Sequence, residues 1–147
     1  MGMIYIGVDP GKKGGYTILT HKGVLAFPWD DNEFVDDLRS ISGNPCIAAV
    51  EKVGAMHGQG VTSMFSFGRS AGYIEGVLAA LGIPYQLVPP NVWKKEFSLI
   101  GKDKAASIQT CKRLFPGINL LPTEKCRKDS DGMAESTLLA EYARRKM

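Results

Sequence analysis

Stretches of almost unbroken apolar residues mark the strands of this chain. Residues 3–9 and 46–50 form two such runs, a pattern typical of strands that are covered on both faces. Shorter runs at 16–20 and 24–27 follow tight turns, so they predict an antiparallel meander with the first strand. A fifth strand is predicted over 84–89.

The segments between these strands have the spacing and the boundary residues of helices. Asp31 or Asn32 is a candidate cap for a first helix that "SGNP" at 42–45 ends. A long second helix is predicted over 62–81, with Thr62 or Ser63 as its cap. Three more are predicted, at 92–97, at 102–114 and from Asp131 onward. Together these elements predict one α/β domain over 1–147, with a mixed five-stranded sheet flanked by helices.

A row of small residues runs along the long second helix. Gly68, Gly72 and Gly76 recur every four residues and Ala80 continues the row. A glycine inside a helix costs about 1 kcal/mol relative to alanine, so the row indicates a close approach of another backbone. Close packing on the sheet and a helix contact across a dimer axis are the two interpretations. Phe65 and Phe67, early in this helix, are expected in the core or at that dimer contact.

The composition and charge of the chain restrict the classes of protein to which it can belong. The chain of 147 residues is 44% hydrophobic and 22% charged, as in globular proteins, and it contains no apolar segment of membrane-spanning length. Its N-terminus lacks a signal-peptide pattern, and its three cysteines form no CxxC pair, which predicts a cytoplasmic protein. Residues 91–147 carry 12 basic and 7 acidic side chains, an asymmetry that hints at a polyanionic partner.

Four acidic side chains lie at the ends of predicted strands or at the beginning of a predicted helix. Asp9 ends the first apolar strand, and Glu51 ends the other strand of similar apolarity. Asp131 and Glu135 share one face of the last helix, at its N-terminus. Singly, each has a structural interpretation as a turn former, a cap or a solvated residue. Together they predict a cluster that needs a cation, and carboxylates are the ligands Mg²⁺ prefers.

Six sequence motifs carry a resemblance to a known family. They are "IGVDPGKKGG", "AAVEKV" with its glycine-rich loop, "FGRSAGYIEGVLAALGIP", "PPNVWKKEF", "GKDKAAS" and "DGMAESTLLAEYA". In combination they resemble the RuvC-like Holliday-junction resolvases, in particular the shorter phage and bacterial branch. The resemblance covers nearly the whole chain.

The resemblance implies a ribonuclease-H-like fold, a homodimer and paired nicking of four-way DNA junctions. It implies that two Mg²⁺ ions, or Mn²⁺ as a substitute, are held by Asp9, Glu51, Asp131 and Glu135. The helix pair departs from the usual i, i+3 spacing of the best-known bacterial members. Asp129 is therefore an alternative to Asp131.

Candidate DNA contacts follow from charge and from the same resemblance. Lys94, Lys102 and Lys104 fit the positions of phosphate-binding lysines, and a solvated helix face is the alternative interpretation of such residues. Trp93 is expected in the core rather than on a base. In the loop beside Glu51, Met56, His57 and Gln59 are the candidate DNA contacts: an apolar side chain can wedge into a base step and Gln59 can read a base edge. An ordinary surface histidine is the alternative interpretation of His57.

Three other classes of protein share parts of this pattern. A nuclease of the same fold that acts on RNA–DNA hybrids would carry the same acids. A junction-binding protein without catalysis would not need all four. A sugar-kinase or actin-like ATPase opens with a similar strand and turn, but it requires two large lobes, for which 147 residues are too few.

Overall fold

The structure is a computed structural model that describes residues 2–54, 58 and 60–147. Its strands are β1 (Ile4–Asp9), β2 (Gly15–Thr20), β3 (Gly23–Pro28), β4 (Cys46–Glu51) and β5 (Tyr85–Val88). Its helices are α1 (Asp31–Ile41), α2 (Val61–Ala80), α3 (Pro90–Glu96), α4 (Lys104–Leu114) and α5 (Asp131–Lys146). Each corresponds to an element that the sequence pattern predicts, with ends that differ by one or two residues.

The five strands form one mixed sheet in the order β3-β2-β1-β4-β5. The meander β1–β2–β3 is antiparallel, whereas β4 pairs parallel with both β1 and β5. The mixed sheet predicted from the sequence is therefore confirmed. The parallel register of β1 and β4 places Val8 opposite Val50, so the residues that follow them, Asp9 and Glu51, end at the same edge.

Helices cover the sheet on both faces, and each face has its own apolar core. One core joins β1 to α1 and α2, through Ile6, Phe34 and Ile74. The other joins β4 to α3, α4 and α5, and Trp93 and Leu138 are fully buried within it. Two covered faces explain why β1 and β4 are apolar almost throughout.

The helix caps differ from the predicted ones. Asp30, one residue before the predicted cap, has an extended backbone, and its carboxylate accepts hydrogen bonds from the backbone N–H groups of Asn32 and Glu33. Gly60 precedes α2, and no side chain in the described part of the chain caps that helix. Thr62 lies already inside the first turn, so its hydroxyl does not cap the helix.

The glycine row of α2 does not pack on the sheet. A Cβ atom built on Gly68, Gly72 or Gly76 would meet nothing within 4 Å among the residues that the structure describes. Phe65 is 67% exposed and Phe67 is 38% exposed, so neither belongs to the core. Of the two interpretations of the row, packing against the sheet is wrong, because the sheet-facing side of α2 is carried by other residues such as Ile74.

Three glycines outside α2 allow α5 to lie directly on the sheet. A Cβ on Gly7 of β1 would come within 1.9 Å of the Ser136 carbonyl oxygen. One on Gly132 would overlap the Lys13 carbonyl oxygen, in the turn between β1 and β2. One on Gly15 would come within 2.7 Å of the Phe27 carbonyl oxygen on β3 and within 3.1 Å of the Gly132 carbonyl oxygen. A side chain at Gly7 or Gly132 would therefore push α5 away from the sheet.

No helix among the described residues combines the length and apolar character of a membrane span.

We expect Gly7→Ala to destabilise the protein by about 2 kcal/mol or more, because the new methyl group clashes with backbone atoms that cannot move independently. Gly43→Ala is the matched control, since a Cβ there meets nothing within 4 Å. Urea denaturation followed by circular dichroism measures both. Equal stability of the two variants would contradict the close contact of α5 with β1.

Candidate functional site

Three carboxylates from three elements meet at the edge of the sheet. Asp9 and Glu51 end β1 and β4, and Glu135 lies one turn into α5. One oxygen from each carboxylate lies within 4.8 Å of the others. The predicted juxtaposition of Asp9 and Glu51 arises from the parallel pairing of their strands, and the docking of α5 adds Glu135.

Burial disfavours the ionised form of each of the three acids, and at Asp9 and Glu135 the charges of neighbouring acids add to this effect. Burial raises the pKa of Asp9 well above its ordinary value, and the charges of Glu51 and Glu135 raise it further. The pKa of Glu135 rises to about 7, first through burial and then through the charge of Glu51. A group of carboxylates with raised pKa values is poised to accept a cation in place of protons.

Glu51 is stabilised by two neighbours from α3. Burial raises its pKa, whereas a hydrogen bond from Trp93 and the charge of Lys94 lower it. The indole Nε1–H of Trp93 donates to Glu51 Oε2 over 2.8 Å. The sequence predicted Trp93 in the core, which is confirmed, but gave no sign of this hydrogen bond.

Asp131 lies beside the three acids in an ion pair. Its Oδ2 is 3.0 Å from Lys104 Nζ, and its charge contributes to the raised pKa values of Asp9 and Glu135. Asp129, the alternative to Asp131, instead lies 2.6 Å from Lys112 Nζ. It is Asp131, not Asp129, whose charge acts on Asp9 and Glu135.

The candidate DNA-binding residues lie in different positions relative to the acids. Lys94 and Lys104 are close enough for their charges to lower the pKa values of Glu51 and Glu135. Lys102 is exposed, two residues before α4. The candidate base-reading residues Met56, His57 and Gln59 lie outside the described residues, so their predicted contacts stay predictions.

The ligand chemistry of the acid cluster fits a hard divalent cation. The cluster offers only oxygen atoms, comes from rigid elements, and has lysines at its margin where phosphate oxygens would approach. Magnesium is held in proteins by a few carboxylates together with substrate phosphates and water. The residues present therefore suit a divalent ion.

Glu135→Gln should change how stability depends on pH in the presence of a chelator. The carboxyl of Glu135 has a pKa of about 7 in the folded protein against an ordinary 4.5, so the folded state holds its proton more tightly than the unfolded state. The wild-type protein therefore loses stability as the pH rises from about 5 to 8. We expect the variant to be more stable at pH 8, by on the order of 1–3 kcal/mol, with the difference vanishing near pH 4.

Urea denaturation at pH 4, 6 and 8 measures this effect. Glu124→Gln, which removes an exposed carboxylate from the loop before α5, is the control for charge alone. A difference between wild type and Glu135→Gln that does not change with pH would contradict the raised pKa of Glu135.

Two solved structures share this fold along nearly the whole chain. "T. thermophilus RuvC in complex with Holliday junction substrate" matches at a TM-score of 0.59 with 16% identity, covering 99% of this chain and 97% of the other. "Thermus thermophilus RuvC structure" matches at 0.56 with 17% identity, covering 97% and 96%. No protein-family model and no curated protein sequence matches. The expected likeness to RuvC is confirmed at the level of structure, and the chain has the ribonuclease-H-like fold of RuvC.

Proposed function

We propose that this protein is a divalent-metal-dependent endonuclease that resolves four-way DNA junctions by paired, symmetric nicks. The observation that carries the proposal is the cluster of Asp9, Glu51 and Glu135 at the sheet edge. The shared fold with RuvC, one structure of which holds a Holliday junction substrate, supports the choice of substrate. Such an enzyme would serve DNA recombination or repair, or the processing of phage DNA, in the cytoplasm of a bacterial or phage-infected cell.

In this proposal the acids hold two Mg²⁺ ions, for which Mn²⁺ would substitute. Asp9, Glu51 and Glu135 are the ligands supported by geometry, and Asp131, which is paired with Lys104 and is not one of the three clustered acids, is proposed as the fourth. Ions held by these residues would supply the activation of a water and the stabilisation of the leaving oxygen of the phosphodiester. Lys104 neutralises Asp131 in the protein alone and would exchange this contact for a DNA phosphate.

The basic residues around the acids would hold the DNA backbone. The charges of Lys94 and Lys104 both lower the pKa values of Glu51 and Glu135, which shows that both lysines lie near these carboxylates. A phosphate bound between the two lysines would therefore lie next to the acid cluster. Lys102, exposed beside α4, would extend this surface. Phosphate contacts fix the position of the DNA, whereas Met56, His57 and Gln59 are proposed to read bases.

Each of the four proposed metal ligands should be essential for catalysis. We expect Asp9→Asn, Glu51→Gln, Glu135→Gln and Asp131→Asn each to abolish nicking of a labelled four-way junction in Mg²⁺, a loss of about 10³-fold or more, while junction binding persists. Each change removes a ligand charge and keeps the size of the side chain. Nicking on sequencing gels and binding by fluorescence anisotropy measure the two properties.

Asp129→Asn is the matched control for this experiment. It makes the same substitution two residues from Asp131, at a carboxylate that is paired with Lys112. This variant should retain nicking. A fork, a plain duplex and an RNA–DNA hybrid are the comparison substrates. Preferential cutting of the hybrid would replace our proposal with a hybrid-specific nuclease, and junction binding without metal-dependent nicking would indicate a binding protein.

We further propose that the active protein is a homodimer that contacts its partner through α2. Symmetric nicking of two strands needs two acid clusters, and a twofold dimer matches the symmetry of a junction. One side of α2 carries exposed apolar and small residues at helical spacing: Val61, Phe65, Gly68, Gly72 and Gly76. This stripe has the composition of a helix–helix contact. Among the residues that the structure describes, none from outside the nearby turns of α2 comes within 4 Å of the Cβ positions of its glycines.

Gly72→Leu should weaken the dimer without unfolding the protomer. The added side chain meets open space in the protomer but would keep two α2 helices apart. Size-exclusion chromatography with light scattering measures the mass at micromolar concentration, and circular dichroism checks the fold. Gly43→Leu, at a second exposed glycine away from α2, is the control. A wild-type monomer that is active on junctions would refute the dimer.

A further inference from the structure

Trp93 joins the acid cluster to the apolar core on one side of the sheet. Its ring is fully buried, in the core formed by β4, α3, α4 and α5. Its Nε1–H reaches out of that core to Glu51 Oε2, 2.8 Å away. A rigid, buried donor therefore holds a carboxylate that is itself only half-buried.

The helix that carries Trp93 is fixed in position at both ends. Pro90 opens α3 directly after β5, the parallel neighbour of the strand that Glu51 ends. Near the other end of α3, Arg145 of α5 bonds to Glu96 over 3.1 Å and lies over the Phe97 ring. The indole cannot follow Glu51 if the carboxylate rotates, so the hydrogen bond restrains Glu51 rather than Trp93.

We propose that Trp93 is a positioning residue of the acid site, whose indole N–H fixes the orientation of the Glu51 carboxylate toward Asp9 and Glu135 and thereby sets the affinity for divalent cations. This inference rests on the proposed metal-dependent function. Groups that hydrogen-bond to metal ligands typically change metal affinity by 10–100-fold when they are removed. The competing interpretation is that Glu51 merely satisfies a buried indole N–H.

The chain contains an internal control for this hydrogen bond. It has two tryptophans, and Trp29 also donates its Nε1–H to a carboxylate, Asp31 Oδ1, over 2.7 Å. Asp31 opens α1 and is not one of the clustered acids. Trp93→Phe and Trp29→Phe therefore remove the same type of contact, at the acid cluster and away from it.

The first measurement is Mn²⁺ binding to the full chain without DNA, followed by the electron paramagnetic resonance signal of free Mn²⁺. We expect Trp93→Phe to weaken binding by about 10-fold or more and Trp29→Phe to leave it unchanged. Glu51→Gln serves as the reference for loss of the ligand itself.

The second measurement follows the indole N–H signals by NMR during a Mg²⁺ titration. The indole N–H signal of Trp93 is identified by its absence from the spectrum of Trp93→Phe. In the wild-type protein this signal should shift until the protein is saturated with Mg²⁺, and in Glu51→Gln it should no longer shift. The signal absent from Trp29→Phe should stay in place. A purely structural role for Trp93 would not couple its N–H to the ion.

If Trp93→Phe fails to fold, the tryptophan analogue β-(3-benzothienyl)alanine, incorporated into the Trp29→Phe protein, keeps the bicyclic shape and removes the N–H. Weakened Mn²⁺ binding would then support the proposal. Mn²⁺ binding that Glu51→Gln abolishes but that loss of the Trp93 N–H leaves intact would overturn the positioning role while the proposed function stands. A wild-type protein without Mn²⁺ binding that depends on Glu51 would overturn the metal-dependent function itself.

Discussion

The backbone contact between α5 and the first two strands determines where the acid cluster forms, because it brings Glu135 to the edge of the sheet. Gly7 and Gly132 allow that contact, because a methyl group at either position would overlap a main-chain oxygen. The hydroxyl of Thr17 on β2 then hydrogen-bonds to Ser136 and Thr137, so the polar groups brought under the helix are satisfied. With α5 held this closely, Glu135 lies next to Asp9 and Glu51.

The acid cluster lowers the stability of the fold that holds it together. Burial and mutual repulsion penalise the ionised carboxylates, as the raised pKa values of Asp9 and Glu135 indicate. Two apolar cores on opposite faces of the sheet supply the stability that keeps these groups together. Strain of this kind is common at functional sites, where stability is given up for chemistry. Lys94 and Lys104 relieve part of the repulsion.

The sequence predicted those features that depend on local pattern. The apolar runs predicted the strands, and Asp9 and Glu51 became candidates because each ends such a run. Glu135 was predicted from its place on the last helix and from the family resemblance. Features that depend on which surfaces contact each other could not be predicted from the sequence. The outward direction of the Gly72 row is one example, since helical spacing shows which residues share a side but not what faces that side. The Trp93 hydrogen bond is another, because its partner is 42 residues away.

The position of Glu135 on a helix that docks across a long stretch of chain makes the site depend on contacts between residues that are distant in sequence. Thr17 and Ser136, which meet where α5 lies on β2, are separated by 119 residues, so docking α5 closes a long loop of chain. The sheet without the docked α5 would carry only two of the three clustered carboxylates. The complete cluster is therefore a property of the docked helix and not of the sheet alone.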